Sequence, residues 1–296
     1  SASVAASTPP KRVLVLAHGY GAGLGFFYRC LRALGEQAGW RVFAIDWLGM
    51  AGSSRTPLPS LGKDTACESE ESLDATEAYY VDSLEAWRER VGVERMTLLG
   101  HSFGGYLAHR YALKYPQRVD HLILASPAGV PESPPKEVLD AMGAERPWLF
   151  SVFTRLWLAG VTPQSLIRWA GPWGGHLTRV YTRRRFPLMA VDELTVFEDY
   201  LSAISAGRGA GEFGFMRLFQ PGVFAKRPIV RTFARLTMPT TFIYGTEDWM
   251  DWRAAADHLD RFSARSQVMM VDKAGHHLYM DNPEAFSAAI ISVMRR

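Results

Sequence analysis

Cysteine is scarce in this chain: its 296 residues include two, Cys30 and Cys67. Two cannot build a disulfide framework, and they are expected as free thiols in a reducing compartment. Long apolar runs are missing as well. No uninterrupted stretch approaches the ~20 residues that cross a bilayer as a helix, so any work at a membrane is expected from its surface. Charge of one sign is also missing. Thirty-three Lys and Arg stand against 30 Asp and Glu, a net +3, which gives the whole chain no electrostatic footprint for nucleic acid. No internal repeat, low-complexity tract or cluster with metal-ligand spacing is visible, so neither a metal nor an organic cofactor is expected. What remains, 48% apolar and 21% charged residues, is the composition of a globular domain. Its length suits one large domain or a core with an insertion. The opening SASVAASTPPKR is small, polar and free of acids. It reads as a disordered lead-in, with a transit-peptide remnant as the alternative.

Against that background stands LLGHSFGGYLA, residues 98–108. Gly100-His101-Ser102-Phe103-Gly104 is G-x-S-x-G, the nucleophile elbow, in which a serine sits on a strained strand-to-helix turn. The glycines are needed because a side chain two positions away on either side would collide with a neighbouring strand or helix. A catalytic reading requires a strand before, a helix after, and an acid and a histidine downstream.

The flanking pattern supplies the strand and helix. RVLVLAHG (12–19), WRVFAIDW (40–47), RMTLLGHS and RVDHLILASPAG are short apolar runs suited to strands buried on both faces. Between them lie helical spacing from Leu24, a long amphipathic stretch, ESLDATEAYYVDSLEAWRERVGV, and GGYLAHRYALKYP, stopped by Pro116. Residues 131 to about 235 break the rhythm, with no clear strand and several helical stretches. PTTFIYGTED (239–248), the helix WRAAADHLDRF, the strand SQVMMVDKAGH and a final helix then restore it. Such alternation predicts crossover units and a mostly parallel sheet with helices on both faces. Residues 1–130 and 236–296 form the core in this reading, and 131–235 a helical cap. SAGRGAGEFGF (205–215) follows no strand and reads as a hinge or loop between cap helices.

A serine hydroxyl needs a base, and the base needs an acid to hold its tautomer; in the α/β-hydrolase fold the order is serine, acid, histidine. YGTEDWMD offers Glu247, Asp248 and Asp251 past the strand that follows the cap. Asp248, three residues beyond Gly245, is favoured, and Asp251 is assigned to capping the next helix. AGHHLYMD offers His276 straight after Gly275; His277 is expected to point the other way. The oxyanion hole is assigned to the backbone N–H groups of Phe103 and of Tyr20 in HGYGAG. His18 and His101 are read as loop braces.

The motifs HGYGAGLGFFYRCLRAL, FAIDWLGMAGSSR, LLGHSFGGYLAHRYALKYPQRVDHLILASPAGVP, TTFIYGTEDWMD and AGHHLYMDNPEAF together resemble the α/β-hydrolase-domain lipid family. That family contains the lipid-droplet lipase coactivator of animals, the acyltransferase-like lipases of plants and the cardiolipin phospholipase of fungal mitochondria. The resemblance runs from about residue 12 to the C-terminus and is weakest in the cap. The coactivator branch carries asparagine at the nucleophile position, so Ser102 implies the enzymatic branch. His276 and Asp281 reproduce the family's H-x4-D, an acyltransferase signature; Asp281 is read instead as the cap of the final helix. Family members have two strands before the first apolar run, which implies a shortened or missing first sheet edge here.

From Arg146 to Ala190 the cap holds seven arginines and no acidic residue. Trp148, Trp157, Trp169 and Trp173, with Arg183, Arg184 and Arg185, are expected to face lipid, aromatics at the interface and guanidinium groups on phosphate. The expected function is a serine hydrolase that removes a fatty acyl chain from an anionic phospholipid such as cardiolipin, acting peripherally at an intracellular membrane, with the mitochondrion favoured. Acyl transfer to a lysophospholipid through the same acyl-enzyme, and a non-catalytic coactivator, are the alternatives. No nucleic-acid partner is expected, and no oligomeric state follows from the sequence.

Overall fold

The computed structural model describes residues 12–64, 66–135, 138 and 147–295. The opening segment and Arg146, to which expectations were attached, lie outside them. Six strands form one parallel sheet: β1 (Arg12–Ala17), β2 (Trp40–Ile45), β3 (Met96–His101), β4 (Val119–Ala125), β7 (Thr240–Gly245) and β8 (Ser266–Val271). Their order is β2-β1-β3-β4-β7-β8. The chain steps one way from β1 to β2, and β3 then pairs on the other side of β1. The carboxyl ends at such a reversal leave a crevice where ligands bind in open α/β sheets.

Strand residues alternate between two cores. Val15, Leu98, Leu122, Leu124 and Phe242 pack on one face. Leu14, Leu16, Leu99, Ile123 and Ile243 pack on the other. This two-sided burial explains why the strands read as continuous apolar runs.

Helix α1 (Tyr28–Gly35) follows a 3-10 turn over Leu24–Phe27, a tighter start than the helical spacing predicts. Its Cys30 and Leu34 enter the second core. Helix α2 (Glu70–Arg90) begins where the Ser69 side chain accepts from Ser72 N–H, with Glu70 and Glu71 in its first turn and Arg88 and Arg90 in its last. That arrangement suits the helix dipole. Leu73, Tyr80 and Leu84 are its buried face. Helix α3 (Phe103–Lys114) starts directly after Ser102. Both cysteines are buried and free.

Between β4 and β7 lie α4 (Pro147–Leu158), α5 (Pro163–Trp169), α6 (Gly174–Arg185), α7 (Val191–Ala206) and α8 (Glu212–Leu218). A short antiparallel pair, β5 (Phe219–Gln220) with β6 (Phe224–Ala225), also lies there, where the sequence showed no strand. Two residues per strand are too few to give a period. The glycine-rich stretch forms the loop between α7 and α8, as expected, and packs closely on the loop that carries Gly49. Gly211 N–H donates to Gly49 O (2.9 Å), and a Cβ on Gly49 would lie 2.4 Å from Gly211 N.

Past β7, the helix expected over residues 252–262 breaks into α9 (Arg253–Ala256) and a 3-10 turn, since only Ala255 of α9 is buried and can anchor it. The chain ends in α10 (Leu278–Asp281) and α11 (Pro283–Met294). Asn282, not Asp281, caps α11: its side chain accepts from Ala285 N–H (3.1 Å). Asp281 is occupied elsewhere. Among the described residues no helix is long and apolar enough to cross a membrane.

Candidate active site

Ser102 stands at the end of β3 with φ 54° and ψ −121°, a region that costs a non-glycine residue about 1–3 kcal/mol. The surroundings hold it there. Ser102 N–H donates to Ala125 O (3.0 Å), and its carbonyl accepts from Gly105, Tyr106 and Ala128. A Cβ on Gly100 would lie 2.3 Å from Gly104 O, and one on Gly104 would lie 2.2 Å from His18 O. Neither position can carry a side chain while β1, β3 and α3 remain this close.

Three separate loops meet at the serine. Ser102 Oγ lies 3.0 Å from His276 Nε2, and His276 Nδ1 lies 3.2 Å from Asp248 Oδ1. With Nδ1–H donating to the carboxylate, Nε2 is left to accept from the hydroxyl. The Asp248 side chain is 1% exposed. Burial by itself would raise its carboxyl, but the hydrogen bond and charge of His276, together with Met250 N–H at 3.1 Å, outweigh that and hold it below the ordinary value. Ser126 adds to the lowering, although its Oγ and Asp248 Oδ2 stop short of a hydrogen bond in this conformation. Asp251 is exposed and accepts from Arg253 N–H at the start of α9.

The histidine loop is braced from two sides. His101 Nε2–H donates to His276 O (2.7 Å), while Tyr279 O–H donates to His101 Nδ1 (3.0 Å). Burial keeps His101 well below the usual imidazole value, and the neighbouring His276 pushes it the same way. Asp281 Oδ2 accepts from Gly275 N–H (3.0 Å) and pairs with Arg185 of α6 (2.9 Å). Asp281 therefore joins the histidine loop to the inserted helices. His277 does point away from the serine, against Phe26 and Phe186. Trp249 was missed in the sequence; its ring centroid lies 5.1 Å from that of His276. Its place directly after Asp248 was the available signal.

On the opposite side, the Gly19 backbone abuts the serine, since a Cβ there would lie 2.9 Å from Ser102 Cβ. His18 donates from Nδ1 to Gly19 O (2.7 Å) and accepts Trp47 N–H at Nε2 (3.3 Å). The Tyr20 ring stacks on Phe215 at 4.5 Å, and its hydroxyl donates to Gln164 of α5 (2.9 Å). Phe103 is the first residue of α3, where backbone N–H groups have no partner within the helix. Among the described residues no group of His, Cys, Asp and Glu is arranged to hold a metal ion.

The seven residues expected to face lipid divide. Trp148, Trp169 and Trp173 are 70%, 70% and 76% exposed, whereas Trp157 is 8% exposed and packs on Phe153 and Phe215. Trp157 is thus a core residue, because α4 lays that face on the aromatic cluster beside Tyr20. Arg183 pairs with Glu198 of α7 (2.8 Å) and Arg185 with Asp281. The stretch has no acids of its own, but the fold brings acids from outside it. Arg184 alone of that trio has no hydrogen-bond or ion-pair partner among the described residues, and it is exposed.

A parallel sheet with a serine turn at its reversal point, a buried acid and a histidine on later loops defines the α/β-hydrolase class. The chain belongs to the α/β hydrolase fold family, whose model matches residues 12–283. Its relatives place it within the α/β-hydrolase-domain lipid family. It is 37% identical over 289 residues to the probable 1-acylglycerol-3-phosphate O-acyltransferase of Oryza sativa subsp. japonica, covering 96% of this chain and 67% of that protein. It is 32% identical over 285 residues to the (lyso)-N-acylphosphatidylethanolamine lipase of Homo sapiens, covering 94% and 77%. The chain spans about two thirds of the length of the plant relatives it matches. A solved bacterial membrane phospholipase A shares the fold at a TM-score of 0.66 and 20% identity, covering 97% of this chain and 80% of that one.

Proposed function

We propose that this protein is a serine acyl-ester hydrolase of anionic glycerophospholipids. The carrying observation is the hydrogen-bonded line from Ser102 Oγ through His276 to Asp248. In the proposed reaction His276 Nε2 takes the Ser102 proton as Oγ attacks the ester carbonyl, and Asp248 stabilises the imidazolium that forms. The Phe103 and Tyr20 N–H groups receive the oxyanion, each such donor being worth about 2.7–4 kcal/mol in the transition state. His276 then protonates the leaving alkoxide. That alkoxide departs as the lysophospholipid; water, deprotonated by the same ring, then cleaves the acyl-enzyme, His276 returns the proton to Ser102 Oγ, and the fatty acid is freed.

Support for a lipid substrate comes from the exposed Trp148, Trp169 and Trp173, since tryptophans partition to membrane–water interfaces. Peripheral contact with a bilayer is part of this proposal. A second reading is favoured by the plant relative's name: acyl transfer, with a lysophospholipid hydroxyl attacking the acyl-enzyme in place of water.

Vesicles of cardiolipin, phosphatidate and phosphatidylethanolamine, with a labelled lysophospholipid, provide the test, followed by lipid mass spectrometry for wild type and Ser102→Ala. Serine-dependent loss of one acyl chain from an anionic lipid supports the hydrolase. Label in a diacyl product supports transfer. No serine-dependent change in any lipid, together with no fluorophosphonate labelling of Ser102, would sink both.

A further inference from the structure

His276 rides on the loop between β8 and α10, and that loop is fastened peptide by peptide. Asn282 Nδ2 donates to Asp272 O (2.9 Å), Lys273 N–H donates to Thr246 Oγ1 (3.0 Å), and Ala274 O accepts from Glu247 N–H (2.9 Å). Those partners all belong to the core. The peptide just before the base is held differently. Gly275 N–H donates to Asp281 Oδ2 (3.0 Å), and the same carboxylate receives the Arg185 guanidinium on both oxygens, at 3.2 and 2.9 Å. Arg185 is the last residue of α6, and α6 is seated on α7 through Arg183 and Glu198 (2.8 Å). Asp281 is set in turn by α10, where its N–H donates to His277 O (3.0 Å). Both side chains of the pair are partly buried.

We propose that Asp281 is a positioning residue for the catalytic base, and that its pairing with Arg185 makes the placing of His276 depend on α6. The inference rests on the serine-hydrolase reading above. Asp281 acts through the Gly275–His276 peptide and not on the ester. It holds that peptide from one side while His101 Nε2–H holds the His276 carbonyl from the other (2.7 Å). A guanidinium fork on two carboxylate oxygens fixes direction as well as distance. An amide offers one acceptor oxygen, which can keep the Gly275 bond but cannot accept the whole fork. Moving a reacting group by about 1 Å costs about 10²-fold in rate, far more than a partly exposed ion pair adds to stability. The signature of this role is therefore a loss of rate without a matching loss of stability.

The test follows covalent labelling of Ser102 by a soluble fluorophosphonate in the full chain. In that reaction the Oγ–P bond forms as P–F breaks, the serine proton passes to His276, and fluoride leaves. No acyl acceptor takes part. Asp281→Ala should slow labelling about 10²-fold. Asp281→Asn and Arg185→Ala should each slow it about tenfold, with Arg185→Lys recovering part of the loss. The double variant Asp281→Asn with Arg185→Ala should be little slower than either single one, since both break the same pair. Final labelling should stay complete, and melting temperatures within about 3 °C of wild type. On a soluble ester kcat should fall with KM within about twofold. A wild-type labelling rate in Asp281→Ala would overturn the positioning role and retain the hydrolase; Asp281 would then act, if at all, on the acyl acceptor. A wild-type rate in Arg185→Ala would overturn the dependence on α6. Incomplete labelling at an unchanged rate would mean lost fold and would also overturn the proposal. No labelling of the wild type would reject the hydrolase and the positioning role together.

Discussion

Ser102, Gly104 and Asp248 show how much can depend on single atoms. A methyl group on Gly104 meets the His18 carbonyl at 2.2 Å, and backbone cannot swing aside as a long side chain can. Gly104→Ala is expected to lower stability by about 1–3 kcal/mol, read from urea denaturation. It should lower activity further, because the displaced β1 loop carries Tyr20. Asp248→Asn keeps the shape of the carboxylate and removes its charge. The amide cannot hold His276 in the required tautomer, so kcat on a soluble ester is expected to fall about 10⁴-fold, with binding of a non-hydrolysable ester little changed. Equal activity in wild type and Asp248→Asn would remove Asp248 from the machinery.

At the scale of elements, α2 and α3 are fastened by charge as well as by apolar contact. Glu85 of α2 accepts from Arg88 at both oxygens (2.8 and 2.7 Å) and from Tyr111 of α3 (2.5 Å). Arg88 also donates to Val93 O, fixing the turn into β3. Because this pair is buried, Arg88→Ala strands the Glu85 carboxylate and is expected to cost about 3–5 kcal/mol. Replacing both residues by leucine should cost less than Arg88→Ala alone, because the buried carboxylate is removed with its main partner, although Arg118 and the Tyr111 hydroxyl lose an acceptor. Chemical denaturation of the two variants decides it. The elements also show where sequence pattern is readable. The strands and α2 could be seen because burial on one or both faces prints a period. The two-residue β5 and β6 have no period to print, and α9 is a single turn whose ends depend on what lies against it.

For the whole molecule, burial of neutral histidines sets the response to acid. Desolvation lowers His109 to about 3, and burial also lowers His18, His101 and His277. Well above pH 6.5 these rings are neutral in both folded and unfolded chains, so they add no pH dependence. Below it the unfolded chain takes up protons that the folded chain refuses, and stability falls with falling pH. Each such ring contributes up to about 1.4 kcal/mol per pH unit, and for His109 the loss continues down to about pH 3. Thermal melts between pH 7 and pH 4 should show a steady drop in Tm, made shallower by His109→Gln. A flat profile would mean that these rings protonate without unfolding. The exposed tryptophans make a separate prediction. Vesicles containing anionic lipid should blue-shift the intrinsic fluorescence, and Trp169→Ala with Trp173→Ala should remove most of that shift.

The sequence by itself determined the parallel α/β core, the elbow at Ser102 and the order in which acid and base follow, because these depend on local signals. Apolar runs mark two-sided burial, and glycines mark close backbone contacts. Loop positions after successive strands converge once the sheet is parallel. Only the tertiary structure decided which acids meet the cap arginines, which tryptophan is core, and what Asp281 does. Arg183 and Glu198 are 15 residues apart and Arg185 and Asp281 are 96 apart, so no local window contains both partners. Trp157 and Trp169 share an aromatic, helical, acid-free setting. One lies on Phe215 and the other meets solvent, because packing against a neighbour is a property of two surfaces and is written in neither sequence segment alone.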